Sequence, residues 1–360
     1  MTANFSTRPI RLLYLPNEFT HFIQSGPREI FEEMLNDHTL DAYHVFSYLL
    51  ETQTLGSADV SIKKLLRIAN DFQPTIIFWQ HIGKFPITTD LLTELRNLSS
   101  QPLLVYHEGD AYGKYRKRLT PSMKLLAKFS DLLFTIGLGE LAGYFRDAGA
   151  RNVIYAPHCV DTVRFGVKWN PNEGDRSGVV MIGNLLDDNP VFRNIPFLRF
   201  PGTVERVQFA QRLYKRIGKR FKVYGRGWEK YPFSAGSVAY ADQEKVLRQN
   251  LLSVNWDHFP NIPYYFSDRL PISMISGVAH ATNYHPGYEL LFKNGEQLVY
   301  YHSVQAAVDD IDWLLSQPAN RLIEIGIEGE RFIRKNLTAS IVYRRMVQII
   351  KEKLFGESFQ

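Results

Sequence analysis

The stretch SDRLPISMISGVAHATNYHPGYELLFKNGEQLVYY, residues 267–301, decides the fold of the second half of the chain. Residues 267–277 predict a helix that starts at an Asp-Arg pair and ends on a glycine, and a short strand follows it. A turn at residues 285–289 leads into another helix, and residues 296–301 predict a further strand. Helices alternating with strands in this way are typical of an α/β domain built on a parallel sheet.

The same alternation runs through the rest of the chain. Short β-branched and aromatic runs predict strands that begin at Ile10, Ala42, Thr75, Leu103, Leu132 and Asn152 in the first half, and at Gly178, Phe221, Leu252, Val278 and Glu296 in the second. Amphipathic segments with helical spacing lie between most of them. Because the strand runs are apolar nearly throughout, we expect strands buried on both faces of parallel sheets.

The chain divides into two parts of similar size. At 360 residues it is too long for one ordinary core, and the polar segment 163–177 interrupts the alternation. We therefore predict an α/β protein with two Rossmann-like, doubly wound domains that face each other across a cleft. The predicted parts are a first domain (1–162), a linker (163–177), a second domain (178–337) and a C-terminal helix (338–360) that crosses back to the first domain. A ligand is expected in the cleft, at the carboxyl ends of both sheets.

The composition limits the cellular compartment in which the protein is expected and the kinds of partner it can bind. The net charge is +5, from 42 basic and 37 acidic residues. This excess is much smaller than that of typical nucleic-acid-binding proteins, so no nucleic-acid partner is expected. The single cysteine, Cys159, excludes an intramolecular disulfide, and no apolar run is long enough to span a membrane. These features indicate a cytoplasmic protein, and contact with the inner membrane face through basic side chains stays open.

Two glycine-bearing strand ends in the second half are suited to a nucleotide. Gly183 and Asn184 follow the strand VVMI, and Gly225 and Arg226 follow the strand FKVY. Glycine lets backbone amides approach a phosphate, and the arginine adds charge. An ordinary strand-to-loop glycine and a surface arginine would fit these positions equally well.

The helix that starts at Asp268 and Arg269 is a candidate diphosphate site. Its N-terminus favours negative charge, and Arg269 can add a bidentate contact. Farther on, Glu289 either caps its own helix or accepts a hydrogen bond from a sugar or ribose hydroxyl.

Taken in order, these features resemble the C-terminal, donor-binding domain of group 1 glycosyltransferases with the GT-B fold, in particular the spore-maturation-type branch. The matching residues are Gly183-Asn184, Tyr224 to Trp228, Val254-Asn255, Arg269, Pro286 to Phe292 and Gly295 to Tyr300. The chain departs from the family at Pro271-Ile272, where Phe-Glu is common and the Glu is expected on the donor's ribose. Asp268 or Glu289 must then make that contact, or activity is altered or lost.

The resemblance implies an enzyme of polysaccharide biosynthesis. It would transfer a hexosyl or related group from a nucleotide sugar, UDP- or GDP-linked, to a hydroxyl of a glycan, a lipid-linked or a protein-linked acceptor. No metal and no further cofactor would be required. The implied donor-binding residues are Gly183, Asn184, Tyr224, Gly225, Arg226, Asp268, Arg269, Pro286, Gly287, Tyr288 and Glu289.

The first half offers candidates for acid–base chemistry. His107, Glu108 and Asp110 follow a strand at its carboxyl end, and general-base catalysis needs a His or Asp within reach of the acceptor hydroxyl. We predict His107 and Asp110 as the catalytic pair and regard His81 and His21 as weaker candidates, although such residues can also simply line a cleft. The histidines have no metal-ligand spacing and no Asp-x-Asp motif marks a metal site. Retaining and inverting chemistry both stay open.

A competing motif lies in the first half. Gly137, Gly139 and Ala142 follow a strand as G-x-G-x-x-A, the arrangement of a dinucleotide-binding turn. Such a turn normally follows the first strand of its domain, whereas this one follows the fifth of six. An NAD- or FAD-linked oxidoreductase is therefore a weaker alternative, as is a GT-B-fold binding protein or epimerase relative without transfer activity. We expect these glycines to form a tight turn at the cleft wall, beside the donor.

Overall fold

The protein has two parallel β-sheets, each belonging to one domain. The computed structural model describes residues 8–83, 85–170, 176–186 and 194–356. The first sheet has the order β2-β1-β3-β4-β5-β6 and the second has the order β11-β10-β9-β7-β8. The strands are β1 (Arg11–Leu15), β2 (Ala42–Val45), β3 (Ile76–Gln80), β4 (Leu103–Glu108), β5 (Leu132–Thr135), β6 (Val153–Tyr155), β7 (Val179–Ile182), β8 (Phe221–Tyr224), β9 (Leu252–Val254), β10 (Ala279–Asn283) and β11 (Val299–Tyr301). Each predicted strand is confirmed.

Helices cover both faces of each sheet. They are α1 (Ser25–Asn36), α2 (Tyr48–Leu55), α3 (Ala58–Phe72), α4 (Thr89–Arg96), α5 (Pro121–Phe129), α6 (Glu140–Asp147), α7 (Thr203–Ile217), α8 (Gln243–Arg248), α9 (Arg269–Ile275), α10 (Tyr288–Leu291), α11 (Val304–Ser316), α12 (Asn320–Asn336) and α13 (Ala339–Phe355). The burial of successive residues shows the two-sided covering: Leu12 and Leu13 of β1 point to opposite faces, and both are fully buried. The predicted doubly wound α/β architecture is confirmed.

The chain passes between the domains at two adjacent places. The amide of Val160 donates to the carbonyl of Leu337 (2.9 Å), and the amide of Ala339 donates to the carbonyl of Val160 (2.9 Å). α13 then packs on the first domain, where Arg344 pairs with Asp37 (2.7 Å) and Glu33 (3.3 Å). The C-terminal helix therefore crosses back as predicted. Of the predicted linker 163–177, residues 171–175 lie outside the described part of the chain.

The Gly137–Gly139 turn is a contact between the domains. A Cβ on Gly137 would lie 2.5 Å from Ile262 Cγ2, and one on Gly139 would lie 2.8 Å from Pro263 Cδ. The amide of Leu138 donates to the carbonyl of Pro263 (2.9 Å). The segment 262–263 of the second domain thus covers the N-terminus of α6, where a dinucleotide phosphate would bind. These glycines allow the domains to pack closely.

One helix differs from the sequence expectation. The strand predicted from Ala42 was expected to run to Tyr48, but β2 ends at Val45 and α2 begins at Tyr48. Residues 48–55 have no helical repeat of apolar positions, so periodicity gave no signal. Tyr48 holds this helix in place, because its ring is fully buried and its hydroxyl donates to the carbonyl of His81.

None of the helices in the described ranges is long and apolar enough to cross a membrane.

A candidate nucleotide-sugar cleft between the domains

A cavity of about 460 Å³ lies between the two sheets. Both domains and the connecting segment line it, at the carboxyl ends of the strands where ligands of such folds bind. Five of the residues predicted as catalytic or donor-binding line this cavity, namely His107, Asp110, Asn184, Asp268 and Arg269, and so does the weaker candidate His81. The other predicted donor-binding residues do not.

Two arginines converge on the second-domain wall of the cleft. A Cβ on Gly183 would lie 2.5 Å from Arg206 Nη2 and 2.9 Å from Arg269 Nε. A side chain at position 183 would therefore displace the guanidinium groups from their places at the end of β7. Two guanidinium groups side by side form a site for a doubly charged anion such as a diphosphate.

Arg206 is a site residue that the sequence analysis missed. It is almost fully buried on α7 and donates to Asn255 Oδ1 (2.9 Å) and to the carbonyl of Trp256. Burial and the neighbouring Arg269 lower the pKa of Arg206 to about 9, which leaves it cationic at neutral pH. The sequence did contain a signal for Arg206, namely an arginine at an apolar position of a helix. Arg206 lies one turn before Ala210 and two turns before Leu213, on the apolar face of α7.

Two buried polar atoms on this wall lack a partner among the described residues. They are Arg206 Nε and Ser267 Oγ, and both side chains line the cavity. A buried donor without a partner costs about 1–3 kcal/mol. A bound anion would remove that cost at both positions.

A buried charge network supports the wall from behind. Asp257 accepts from Asn255 Nδ2 (2.8 Å) and lies 3.2 Å from His285 Nε2. Burial alone would raise the pKa of Asp257, but His285 and Arg206 hold it below its usual range. The network therefore keeps an anion close to the cationic wall and fixes the loops that carry it.

The Tyr224–Arg226 turn lies beside the cleft rather than in it. A Cβ on Gly225 would lie 2.5 Å from the carbonyl oxygen of Gly183, and the amide of Arg226 donates to Asn184 Oδ1 (2.9 Å). The turn thus positions the Gly183 loop. The Arg226 side chain is exposed and does not line the cavity, so its donor contact stays a prediction.

The Pro286–Glu289 turn is also outside the cavity. Gly287 packs against Tyr264, and Tyr288 is fully buried with its ring stacked on His285. Glu289 is exposed and accepts from the hydroxyl of Tyr284 (2.9 Å). The turn therefore supports the wall through packing, and Asp268 is the one of the two predicted ribose partners that faces the cleft.

On the opposite wall, His81 and Glu108 form a hydrogen-bonded pair. His81 Nδ1 lies 2.5 Å from Oε1 of the fully buried Glu108. Burial alone would lower the pKa of His81, but the charge and hydrogen bond of Glu108 raise it above its ordinary value. Within the described residues Nε2 makes no hydrogen bond, so it is the nitrogen offered to a ligand in the cleft.

The backbone at His81 is held in an uncommon conformation. Its φ of 38° lies in the left-handed region, which non-glycine residues seldom occupy. The amide of His81 donates to the carbonyl of His107 (2.8 Å), and its carbonyl accepts from Tyr48. Such strain persists where surrounding structure holds it, often at functional sites.

The two residues predicted as catalytic are poorly placed for proton transfer. Burial lowers the pKa of His107 to about 3, which makes it a weak base. Asp110 forms an ion pair with Lys117 (2.9 Å). Burial alone would raise the pKa of Asp110, but the lysine and His81 hold it below its ordinary value. Of the candidate bases, His81 is the one whose pKa is raised, through its bond to Glu108. The catalytic roles of His107 and Asp110 stay predictions.

His81, Glu108 and Asp110 also bring potential metal-ligand atoms within 4.8 Å of one another. The sequence showed no such spacing, because the residues come from the ends of β3 and β4. The groups already bind each other: Glu108 accepts from His81, from Tyr106 (2.6 Å) and from the amide of Asp110 (3.0 Å). A cation would have to replace these bonds, so the cluster fits an acid–base pair better than a metal site.

The N-terminus of α1 faces the cleft but carries its own anion. Asp161 Oδ2 accepts from the hydroxyl of Ser25 (2.7 Å) and the amide of Gly26 (3.1 Å). This carboxylate occupies the position that a phosphate would take at a helix N-terminus. The first domain is therefore closed to phosphate at both α1 and α6.

Comparisons with known proteins agree with this geometry. Residues 205–350 match a family model described as glycosyl transferase-like, which bears out the glycosyltransferase prediction for the second domain. No curated protein matches the chain by sequence.

Among solved structures, Anabaena Alr3699/HepE in complex with UDP and glucose has 12% identity and a TM-score of 0.58, and the similarity covers 95% of this chain and 99% of that one. The lipopolysaccharide outer core galactosyltransferase WaaB has 10% identity, coverage of 95% and 99%, and a TM-score of 0.58. A glycosyltransferase from Rickettsia africae has 10% identity, coverage of 98% and 100%, and a TM-score of 0.60. The chain therefore has the GT-B fold that the sequence predicted.

Proposed function

We propose that this protein is a glycosyltransferase that transfers a sugar from a nucleoside diphosphate sugar to an acceptor hydroxyl in the cleft. The observation that carries the proposal is the convergence of Arg206 and Arg269 on Gly183, across the same cavity from the His81–Glu108 pair. One wall would bind a diphosphate, and the other offers a base. The match of residues 205–350 to the glycosyl transferase-like family supports the proposal, since it includes both arginines.

The diphosphate is the part of the donor that the two arginines would bind, and it is also part of the leaving group. As the bond from the sugar to the diphosphate breaks, negative charge accumulates on the departing oxygen. Arg206, Arg269 and the hydroxyl of Ser267 are positioned to stabilise this charge, because they already lie together in a largely buried wall. We propose UDP as the first nucleotide to test, since the Anabaena structure was solved with it, and GDP as the second.

On the acceptor side, we assign proton removal to His81. Nε2 takes the proton from the acceptor hydroxyl while Nδ1 stays bonded to Glu108, which stabilises the charged ring. The assignment replaces His107 and Asp110. We keep metal independence as a proposal, and unchanged turnover in the presence of EDTA would support it.

The finer features of the function rest on the resemblance alone. We propose that the protein belongs to the spore-maturation-type branch, transfers a hexosyl or related group, and acts in the cytoplasm on a glycan or lipid-linked acceptor in polysaccharide biosynthesis. Contact with the membrane face stays part of this proposal.

A binding protein without transfer activity is the second candidate. One observation favours it: Ile272, at the position where the family often has glutamate, is buried and offers no oxygen to a ribose. Asp268, which lines the cleft, is then the remaining partner for the ribose hydroxyls. Such a protein would bind UDP without consuming a UDP-sugar.

The experiment combines calorimetric binding of UDP with turnover of UDP-glucose, followed as UDP release with and without acceptor alcohols. We expect His81→Ala to bind UDP normally and to lose about 10²–10⁴-fold in kcat. His21→Ala is the matched control, because His21 is exposed and does not line the cavity. UDP binding without any turnover would favour the binding protein, and failure to bind any nucleoside diphosphate would refute both candidates.

A further inference from the structure

A second cavity lies behind the cleft, where both domains and the C-terminal helix meet. Its volume is about 430 Å³, within the ~300–1,000 Å³ of small-molecule sites. Phe134 and Tyr155 of the first domain, Phe292 of the second, and Met346 and Ile349 of α13 contribute to its walls. It shares only Pro157 with the cleft cavity, so it is a separate site.

We call this second cavity the hinge cavity. Its lining is mostly apolar, and two of its large aliphatic side chains are exposed. Leu290 is 73% exposed and Ile341 is 37% exposed. Exposed aliphatic side chains next to an apolar cavity offer favourable burial to a hydrocarbon, at roughly 25 cal/mol per Å² covered. The cavity holds a chain of about a dozen carbons, if each takes roughly the ~30 Å³ of a water molecule in the liquid.

The rim of the hinge cavity is cationic. Lys335 and Arg345 line it, and an adjoining groove shares Arg345 and adds Arg146 and Arg151. Over the described ranges, no carboxylate lies within ion-pair distance of these four side chains. The one carboxylate lining the groove, Glu352, accepts from Gln348 (3.1 Å). The cations are therefore available to an anion from solution.

We propose that the hinge cavity binds one single-chain anionic amphiphile, with its hydrocarbon chain between Phe134, Phe292 and Met346 and its carboxylate or phosphate head at Lys335 and Arg345. Charge and shape agree on this occupant, because an apolar ligand would leave the cations unused and a free phosphate would leave the cavity empty. The walls come from both domains and from α13. Such a ligand therefore holds the two domains in the arrangement described above.

The test uses the full chain and two probes below their micelle concentration, dodecanoate and dodecyl phosphate. Binding is measured by calorimetry, and the apparent Tm by thermal unfolding. The variant is Lys335→Glu with Arg345→Glu, both exposed positions. Lys353→Glu is the control, since it reverses one positive charge on α13 outside the hinge cavity and the adjoining groove.

We expect both probes to bind at one per chain and to raise the Tm. The double variant should bind at least about tenfold more weakly, the control should bind normally, and Ile341→Trp should weaken binding by filling the cavity. The proposal is overturned by absence of saturable binding, by equal binding to the double variant, or by binding only to bilayer vesicles. Concentration-dependent dimerisation abolished by Leu290→Asp, without amphiphile binding, would assign the surface to a second copy and also overturn it.

Discussion

The turns at Gly137–Gly139 and at Gly183 look alike in sequence and differ in what covers them. Each follows a buried parallel strand at the carboxyl edge of its sheet. At the first turn, Ile262 and Pro263 of the other domain fill the space that the glycines leave. At the second, the guanidinium groups of Arg206 and Arg269 fill that space, and both of these side chains line the cleft cavity.

The difference shows that a glycine turn specifies backbone geometry and not a ligand. The G-x-G-x-x-A motif matches a dinucleotide turn more closely than Gly183-Asn184 does, yet its helix N-terminus is occupied by protein. What distinguishes a phosphate site is nearby cationic side chains and room for an anion. Both depend on residues distant in sequence, here Arg206 and Arg269.

The largest expected effect separates two arginines, Arg269 and Arg226, both of which were predicted from the sequence to contact the donor. Arg269→Ala should weaken UDP binding by about 10–150-fold, since a hydrogen bond to a charged group contributes ~1.5–3 kcal/mol. Arg226→Ala should leave the dissociation constant unchanged, because its side chain lies outside the cavity. Isothermal titration calorimetry on the two variants makes the comparison. Equal losses would mean that the Tyr224–Trp228 turn contacts the nucleotide after all.

The next effect tests whether the Gly137 turn serves packing between the domains. Gly137→Ala should lower the free energy of unfolding by about 1–3 kcal/mol, because its Cβ would lie 2.5 Å from Ile262 Cγ2. At Gly143, within α6, an added Cβ would meet no heavy atom within 4 Å beyond the helix's own backbone, so Gly143→Ala should stabilise α6 by up to ~1 kcal/mol. Urea denaturation measures both. A neutral Gly137→Ala together with binding of NAD would restore the dinucleotide interpretation.

A smaller effect concerns the anion at the N-terminus of α1. Asp161→Ala removes the acceptor for Ser25 and Gly26, and loss of such a cap costs about 0.5–2 kcal/mol. The loss should grow smaller as salt screens the helix dipole. Unfolding in low and high salt tests this. If Asp161→Ala has unchanged stability in both conditions, the carboxylate does not neutralise α1.

The smallest effect is a shift in a pH profile. His81 must be neutral to accept a proton, and Glu108 raises its pKa, so kcat/KM should fall as the pH drops through a value above that of an ordinary histidine. Glu108→Gln should move this acid limb to lower pH, since the charge that raises the pKa is removed. An unchanged acid limb in Glu108→Gln would exclude His81 as the titrating base.

The fold was largely predictable from sequence, because a strand buried on both faces is a short, nearly continuous run of apolar residues. Each strand was found from its apolar run. α2 was missed because its residues carry no helical repeat, and Tyr48 is held by a contact with His81 from another element.

The candidate site was less predictable, because its parts meet only in three dimensions. Asn184 was predicted from its position after a strand, and Asp268 and Arg269 from their place at the start of a helix; all three line the cavity. Glu289 does not line the cavity, and sequence order cannot tell which side of a turn faces the cleft. The sequence offered no reason to prefer His81 over His107, because burial, which lowers the pKa of His107 to about 3, depends on packing with Phe78 and Tyr343.

Hydrogen–deuterium exchange with and without UDP tests the central claim most directly. We expect UDP to slow exchange in peptides that span residues 183–186 and 265–270, and to leave peptides that span residues 138–144 unchanged. Protection confined to residues 138–144, with none at 183–186 and 265–270, would contradict the account, because the nucleotide would then bind the turn that we assign to packing between the domains.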